Sequence, residues 1–238
     1  MMLKEAIEKI EEMSNAEVVE VDGHYYTVNG DGATEILPTQ FRPEPVSLNS
    51  LDALVQLIKK EQPDRQIFVS VRNHDFVEVY DSPCEEARWK RYVLYAAKAT
   101  DIPGWDSEMQ MGFDQATVAL MTRFQDGGDR EYTLQLLSQI TTGAKVTYTD
   151  NGVASTIVTQ KGAALAQNTT IKPLVKLRPY RTFQEIEQPE GIFLIRISEL
   201  GITFREADGG MWKLTARNTA KAWLQEQLKD MENVTVML

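Results

Sequence analysis

Lys172, Pro173, Lys176, Arg178, Pro179, Tyr180 and Arg181 form a basic, proline-bounded run in a chain of 238 residues. Lysine and arginine donate charge-assisted hydrogen bonds to phosphates and carboxylates, and Tyr180 with nearby Phe183 offers faces on which a base can stack. No acidic residue occurs between Asp150 and Glu185, although the chain as a whole carries a net charge of -10. Lys176, Arg178, Tyr180 and Arg181, with Lys161 and Lys172 beside them, are therefore candidate ligands for an anionic small molecule of the nucleotide type. The spacing also has a plainer reading. In a strand, Lys172, Lys176 and Arg178 share one alternating face, and a solvated cationic edge is a common protective device.

Other chemistry is thinly represented. The two histidines, His24 and His74, each lie near a hairpin turn, and the one thiol, Cys84, follows Ser82-Pro83. A nucleophile–base pair of Cys84 and His74 would need a geometry that spacing does not supply. Zinc and EF-hand spacings are absent, and Glu185, Glu187, Glu190 and Asp208 read as a solvated acidic turn more readily than as ligands of a hard cation. Neither common phosphate-binding glycine loop occurs. Gly127-Gly128 and Asp208-Gly209-Gly210 read as turns, the second expected to join two strands. No cofactor is implied and no catalytic residue is assigned, so a binding protein is favoured over an enzyme.

Apolar content of 42% and charged content of 25% are those of a folded globular protein. Every apolar run is far shorter than the roughly 20 residues of a membrane-spanning helix, and the start, Met1-Met2-Leu3-Lys4-Glu5, turns charged at position 4 without a signal core. A single cysteine excludes an internal disulfide framework. These features predict a cytoplasmic protein without a membrane partner, and make the sequons at Asn168 and Asn233 chance matches. Residues 1–140 hold 13 Lys and Arg against 25 Asp and Glu, whereas residues 141–238 hold 12 against 10. A first part at -12 makes duplex DNA an unlikely partner, because phosphate neutralisation supplies most non-specific affinity. The second part, at +2, leaves room for a local anion site.

The elements that must position these residues follow from periodicity and turn chemistry. Ile7, Ile10 and Met13 mark an amphipathic helix over 3–13, and Asp22-Gly23 joins strands over 17–22 and 24–29. Pro38, Pro43 and Pro45 make 37–47 an extended connector. Ser50 is placed to cap a helix with Leu51, Leu54, Val55 and Ile58 on one face. Strands over 67–71, 76–80 and 88–96 form an antiparallel meander, followed by an irregular passage around Pro103-Gly104-Trp105. A helix over 114–124 is expected to turn Val118, Met121 and Ala119 inward. A second, capped by Asp129, carries Leu134, Leu137 and Ile140. Asn151-Gly152 joins strands over 145–149 and 153–159, 163–167 is a short helix or a loop, and 170–177 continues as one strand. Strands over 192–197, 201–206 and 211–215 follow, then a helix capped by Asn218 with Ala222, Trp223, Leu224 and Leu228 around its core stripe, and an edge strand over 234–238. The fold class is α+β, with antiparallel sheets built from hairpins and helices packed on one side. Residues 1–45 form a helix–hairpin unit with a linker, and 46–238 the main domain, divisible near 100–145. Pairing of the last strand across an interface predicts a homo-oligomer.

Leu177-Arg178-Pro179-Tyr180-Arg181-Thr182-Phe183, Glu185-Ile186-Glu187-Gln188-Pro189, Phe193-Leu194-Ile195-Arg196 and Glu206-Ala207-Asp208-Gly209-Gly210-Met211-Trp212-Lys213 together resemble an uncharacterised protein family of bacteriophages and prophages. The resemblance extends loosely back to Leu51 and covers little of 1–45. It carries no activity and no catalytic residues; it implies a phage accessory protein in the bacterial host cytoplasm. In that setting the expected function is a non-enzymatic binder that counters host defence by sequestering a nucleotide-type signal or a host protein. The alternative is an accessory protein in phage DNA recombination or replication that binds single-stranded nucleic acid. A hydrolase using His74 or the acidic cluster is a third reading.

Overall fold

A computed structural model describes residues 17–29, 32–36, 44–83, 91–104, 108–141, 145–150, 155–160, 167–198 and 201–238. The expected helix over 3–13, the prolines of 37–43, Cys84, residues 88–90, Trp105, the Asn151-Gly152 turn and Lys161 lie outside them. The chain divides into two compact units, Met1–Glu44 and Pro45–Leu238.

In the first unit, β1 (Glu17–Val21), β2 (His24–Asn29) and β3 (Gly32–Glu35) form an antiparallel sheet in that order. Asp22 and Gly23 both have positive φ, 52° and 80°, the left-handed turn whose twist suits a two-residue hairpin. His24 Nδ1 lies 2.9 Å from Glu35 Oε1 in an exposed pair.

The second unit begins with β4 (Val46–Leu48), α1 (Leu51–Glu61), β5 (Ile67–Asn73), β6 (Phe76–Asp81) and β7 (Val93–Lys98). It continues through α2 (Phe113–Arg123), β8 (Phe124–Gln125), α3 (Arg130–Thr141), β9 (Lys145–Asp150), β10 (Ser155–Gln160) and β11 (Gln167–Ile171). It ends with β12 (Leu174–Pro179), β13 (Gly191–Ser198), β14 (Gly201–Glu206), α4 (Met211–Gln227) and β15 (Val234–Met237). One sheet has the order β15-β5-β6-β7-β4, another the order β14-β13-β12-β8, and β11-β10-β9 form a third. With helices on one face of each of the two larger sheets, the α+β class holds.

The five-stranded sheet is built from its inward residues. Val69, Val71, Val77 and Val79 are fully buried beneath Leu51, Leu54 and Ile58 of α1 and Ala220 and Leu224 of α4. Full burial of a Leu or Ile side chain contributes about 1.5–3 kcal/mol, so this face fixes α1 on the sheet. Ser50 Oγ accepts the Ala53 N–H at 3.1 Å, and Gln62, at φ 41°, closes the helix with its N–H on the Ile58 carbonyl. The expected meander β5-β6-β7 is present and antiparallel, with Arg91 and Tyr92 outside its third strand. Its edges are parallel additions: β15 beside β5, and β4, from the expected connector, beside β7. Such long-range pairing leaves no turn signal in the sequence.

The four-stranded sheet carries α2 and α3 on its inner face, where Ala116, Ala119, Leu120, Leu137 and Ile140 pack on Val175, Leu177, Phe193, Ile195 and Phe204. Val118 and Met121 do not turn inward as expected; they are 59% and 61% exposed. Ala119 does face the sheet as expected, together with Ala116, and these small side chains let the helix approach closely. The expected single strand over 170–177 is two, broken at Lys172-Pro173, where proline lacks the N–H a ladder requires. Asp208-Gly209-Gly210 joins no hairpin. Gly209 and Gly210, at φ 64° and 79°, turn the chain into α4, and Asp208 Oδ1 accepts the Gly210 N–H at 3.0 Å. Residues 211–215 are helical, Asn218 lies inside α4, and Ala222 is exposed. Alternation over five residues is too short to separate a strand from a helix. The hairpin partner of β14 is β13.

Candidate functional site

Lys176 and Arg178 project from the outer face of β12, while Val175 and Leu177 face the core. Alternation along a strand places them together, and acidic groups from other segments meet both. Lys176 Nζ lies 3.1 Å from Glu190 Oε1. Arg178 pairs with Glu187, and its Nε is 3.8 Å from Glu190 Oε2. Behind them, Asp129 Oδ2 accepts from Lys172 Nζ at 2.6 Å and from the Lys176 N–H at 2.8 Å. Burial alone would raise the Asp129 pKa, but the hydrogen bonds from Lys172 and Lys176 outweigh it and hold the carboxyl below its usual range. Asp129 thus spends its side chain on β12 instead of capping α3.

Arg181 belongs to a different environment. It is 8% exposed, with Nη1 2.6 Å from Glu206 Oε1 and Nη2 3.4 Å from the Pro189 carbonyl oxygen. Its guanidinium lies 3.9 Å from the Trp212 ring centroid and 5.7 Å from that of Phe193. Burial lowers its pKa to about 10 against the raising effect of Glu206 and Asp208, so it is protonated at neutral pH. Gln188, 1% exposed, shapes the loop around it. Its Oε1 accepts the N–H groups of Arg181 and Thr182 at 3.0 and 3.3 Å, and its Nε2 donates to the carbonyls of Phe183 and Ile186 at 2.9 and 3.3 Å. The loop so shaped inserts Phe183 and Ile186 into the core beneath the five-stranded sheet. Arg181 is therefore part of a joint between the two layers. Tyr180, half-buried at the bend just past the end of β12, donates its N–H to the Arg123 carbonyl at 2.9 Å.

His74, at the β5–β6 turn, reaches the same joint. Its ring meets Trp212 edge-on at 4.7 Å, its carbonyl accepts from Thr182 Oγ1, and Nδ1 lies 2.8 Å from Asn73 Oδ1. Burial lowers its pKa; Asp75 opposes that shift, and Lys213 and Arg181 add to it. Among the described residues, no group of three or more His, Cys, Asp or Glu stands where it could hold a metal ion.

The four candidate residues thus do not converge. Lys176 and Arg178 share an outer ladder, Arg181 is enclosed in the joint, and Tyr180 lies between. Two clefts formed by the second unit, of about 290 and about 580 Å³, are lined by none of them. Sequence reasoning missed Glu206, Trp212, Gln188 and Asp129 as partners. Gln188, Phe193, Glu206 and Trp212 reach Arg181 from separate segments, so no short window of sequence announces the joint. No protein-family model, curated protein or solved structure matches the chain. No helix among the described residues is long and apolar enough to cross a membrane.

Proposed function

We propose that this protein acts by binding rather than by catalysis, as a bacteriophage or prophage accessory protein in the host cytoplasm that counters host defence by occupying a host protein. The phage setting rests on the sequence resemblance of residues 177–213. The choice of a protein over a nucleotide-type signal rests on one observation: Lys172, Lys176, Arg178 and Arg181 are each already paired with a carboxylate of the same chain. A phosphate would have to displace Glu187 and Glu190 to reach Lys176 and Arg178, and would have to open a packed joint to reach Arg181. The acidic excess of the first part of the chain also favours a protein partner over single-stranded nucleic acid.

Native mass spectrometry of the protein purified from infected cells tests this reading. The expected result is no retained nucleotide, and phage plating on defended hosts that is unchanged by Lys176→Ala with Arg178→Ala. Recovery of a nucleotide, with plating lost in that folded double variant, would overturn it; salt-dependent binding to single strands would favour the replication accessory. We also propose a homo-oligomer, because among the described residues β15 pairs on one side only, with β5, and carries no charged residue in its own sequence. Light scattering at micromolar concentration should give a multiple of the chain mass, and a monomer would refute it.

A further inference from the structure

We infer that the cleft of about 290 Å³ between the start of α1, the segment after β7 and the 182–185 stretch receives a lysine or arginine side chain of a partner protein. This rests on the protein-binding reading above and names the chemistry of the contact. Ala99, Ile102 and Phe183 supply apolar lining, Asp101 and Glu185 supply carboxylates, and among the described residues no Lys or Arg lines the cleft. A long basic side chain has the matching form, an aliphatic stem that covers apolar surface and a cationic head that seeks carboxylates.

The walls are held in place. Gln184 Nε2 donates to the Asp101 carbonyl at 2.6 Å, which ties the 182–185 stretch to the segment after β7. Glu185 Oε1 accepts the Asp52 N–H at 3.2 Å, which ties it to α1. The start of α1 opposes a cation, but with only about half an elementary charge, against two full negative charges from Asp101 and Glu185. The balance is negative, and Glu185 keeps a second oxygen for a ligand. Within the same unit, residues 45–140 hold 10 Lys and Arg against 15 Asp and Glu, an excess that favours a basic partner in the same sense.

Titration of the isotope-labelled full chain with N-acetyl-arginine amide, followed by amide chemical shifts, tests the assignment. Ala99, Asp101, Gln184 and Glu185 should shift, the effect should weaken with added salt, and N-acetyl-norleucine amide should not reproduce it. Asp101→Asn should weaken the interaction about two- to fivefold, the range of an exposed ion pair. Glu185→Gln, which keeps an oxygen for the Asp52 N–H, should act likewise while the thermal melt stays unchanged. Equal shifts with norleucine amide, or no response to either substitution, would overturn the assignment. If a host protein co-purifies equally with wild type and both variants, this cleft is excluded and the binder reading stands. If wild type yields a nucleotide instead, the binder reading itself falls.

Discussion

Arg178 and Arg181 stand three positions apart in one basic run, and the fold gives them different work. Arg178, with its side chain 27% exposed, meets the exposed Glu187 and the half-buried Glu190 on an outer sheet face, with its Nε covered from water. Arg181 is enclosed between Trp212 and Phe193, with Glu206 at its end. An exposed pair contributes at most about 1 kcal/mol, whereas breaking a buried pair costs about 3–5 kcal/mol because a charge is left without its partner. Similar local chemistry therefore yields a solvated ladder in one place and a structural joint in the other. A basic stretch of sequence is not necessarily a basic surface.

The largest expected effect breaks the joint. Arg181→Ala should lower unfolding free energy by about 3 kcal/mol in urea denaturation, near the low end for a buried pair because Glu206 remains partly exposed. Loss below 1 kcal/mol would place Arg181 in the same class as Arg178. Next comes Gly128→Ala. Gly128 has φ 57°, and an added Cβ would collide with the Lys176 carbonyl oxygen, so a loss of about 1–3 kcal/mol is expected. That result would show that the backbone under the ladder matters even where its side chains do not.

Acid should separate the two regions. Burial holds the His74 pKa below its unfolded value of about 6.5, so the unfolded chain binds more protons between the two values. The joint is then at full strength above about pH 6.5 and weakens as pH falls through that window. Asp129, depressed in the fold, keeps its contribution above its unfolded value of about 3.9 and loses it as pH falls further. Denaturation curves from pH 7 to 3 should lose the upper slope in His74→Gln and keep it in Asp129→Asn; the reverse pattern would refute the assignment. Smallest of all, Lys176→Ala should change stability by less than about 0.5 kcal/mol. A larger loss would mean that the Lys176–Glu190 pair is not merely a solvated contact.

Local signals reached the sequence well. Ser50 before Leu51, Leu54, Val55 and Ile58 is a cap followed by a helical stripe, and Asp22-Gly23 is a turn that selects its own hairpin. The parallel placements of β4 and β15 depend on pairing between residues far apart, which no short window contains. The Arg181 joint is illegible for the same reason: its contacts span 31 positions from Arg181 to Trp212. Asp129 was assigned to the nearest helix start because nothing local points to Lys172 and Lys176, more than 40 residues away.

The place of β15 sets a schedule for synthesis. Strand β5 leaves the ribosome early, with β6 ready to pair on one side, but its other neighbour is encoded about 160 residues later. At about 5–20 residues per second, that side stays bare for on the order of 10–30 s, a window in which an uncharged run such as Ile67-Phe68-Val69-Ser70-Val71 is open to adventitious strand partners. A chaperone that shields this segment during translation would raise soluble yield more than one that acts on the finished chain.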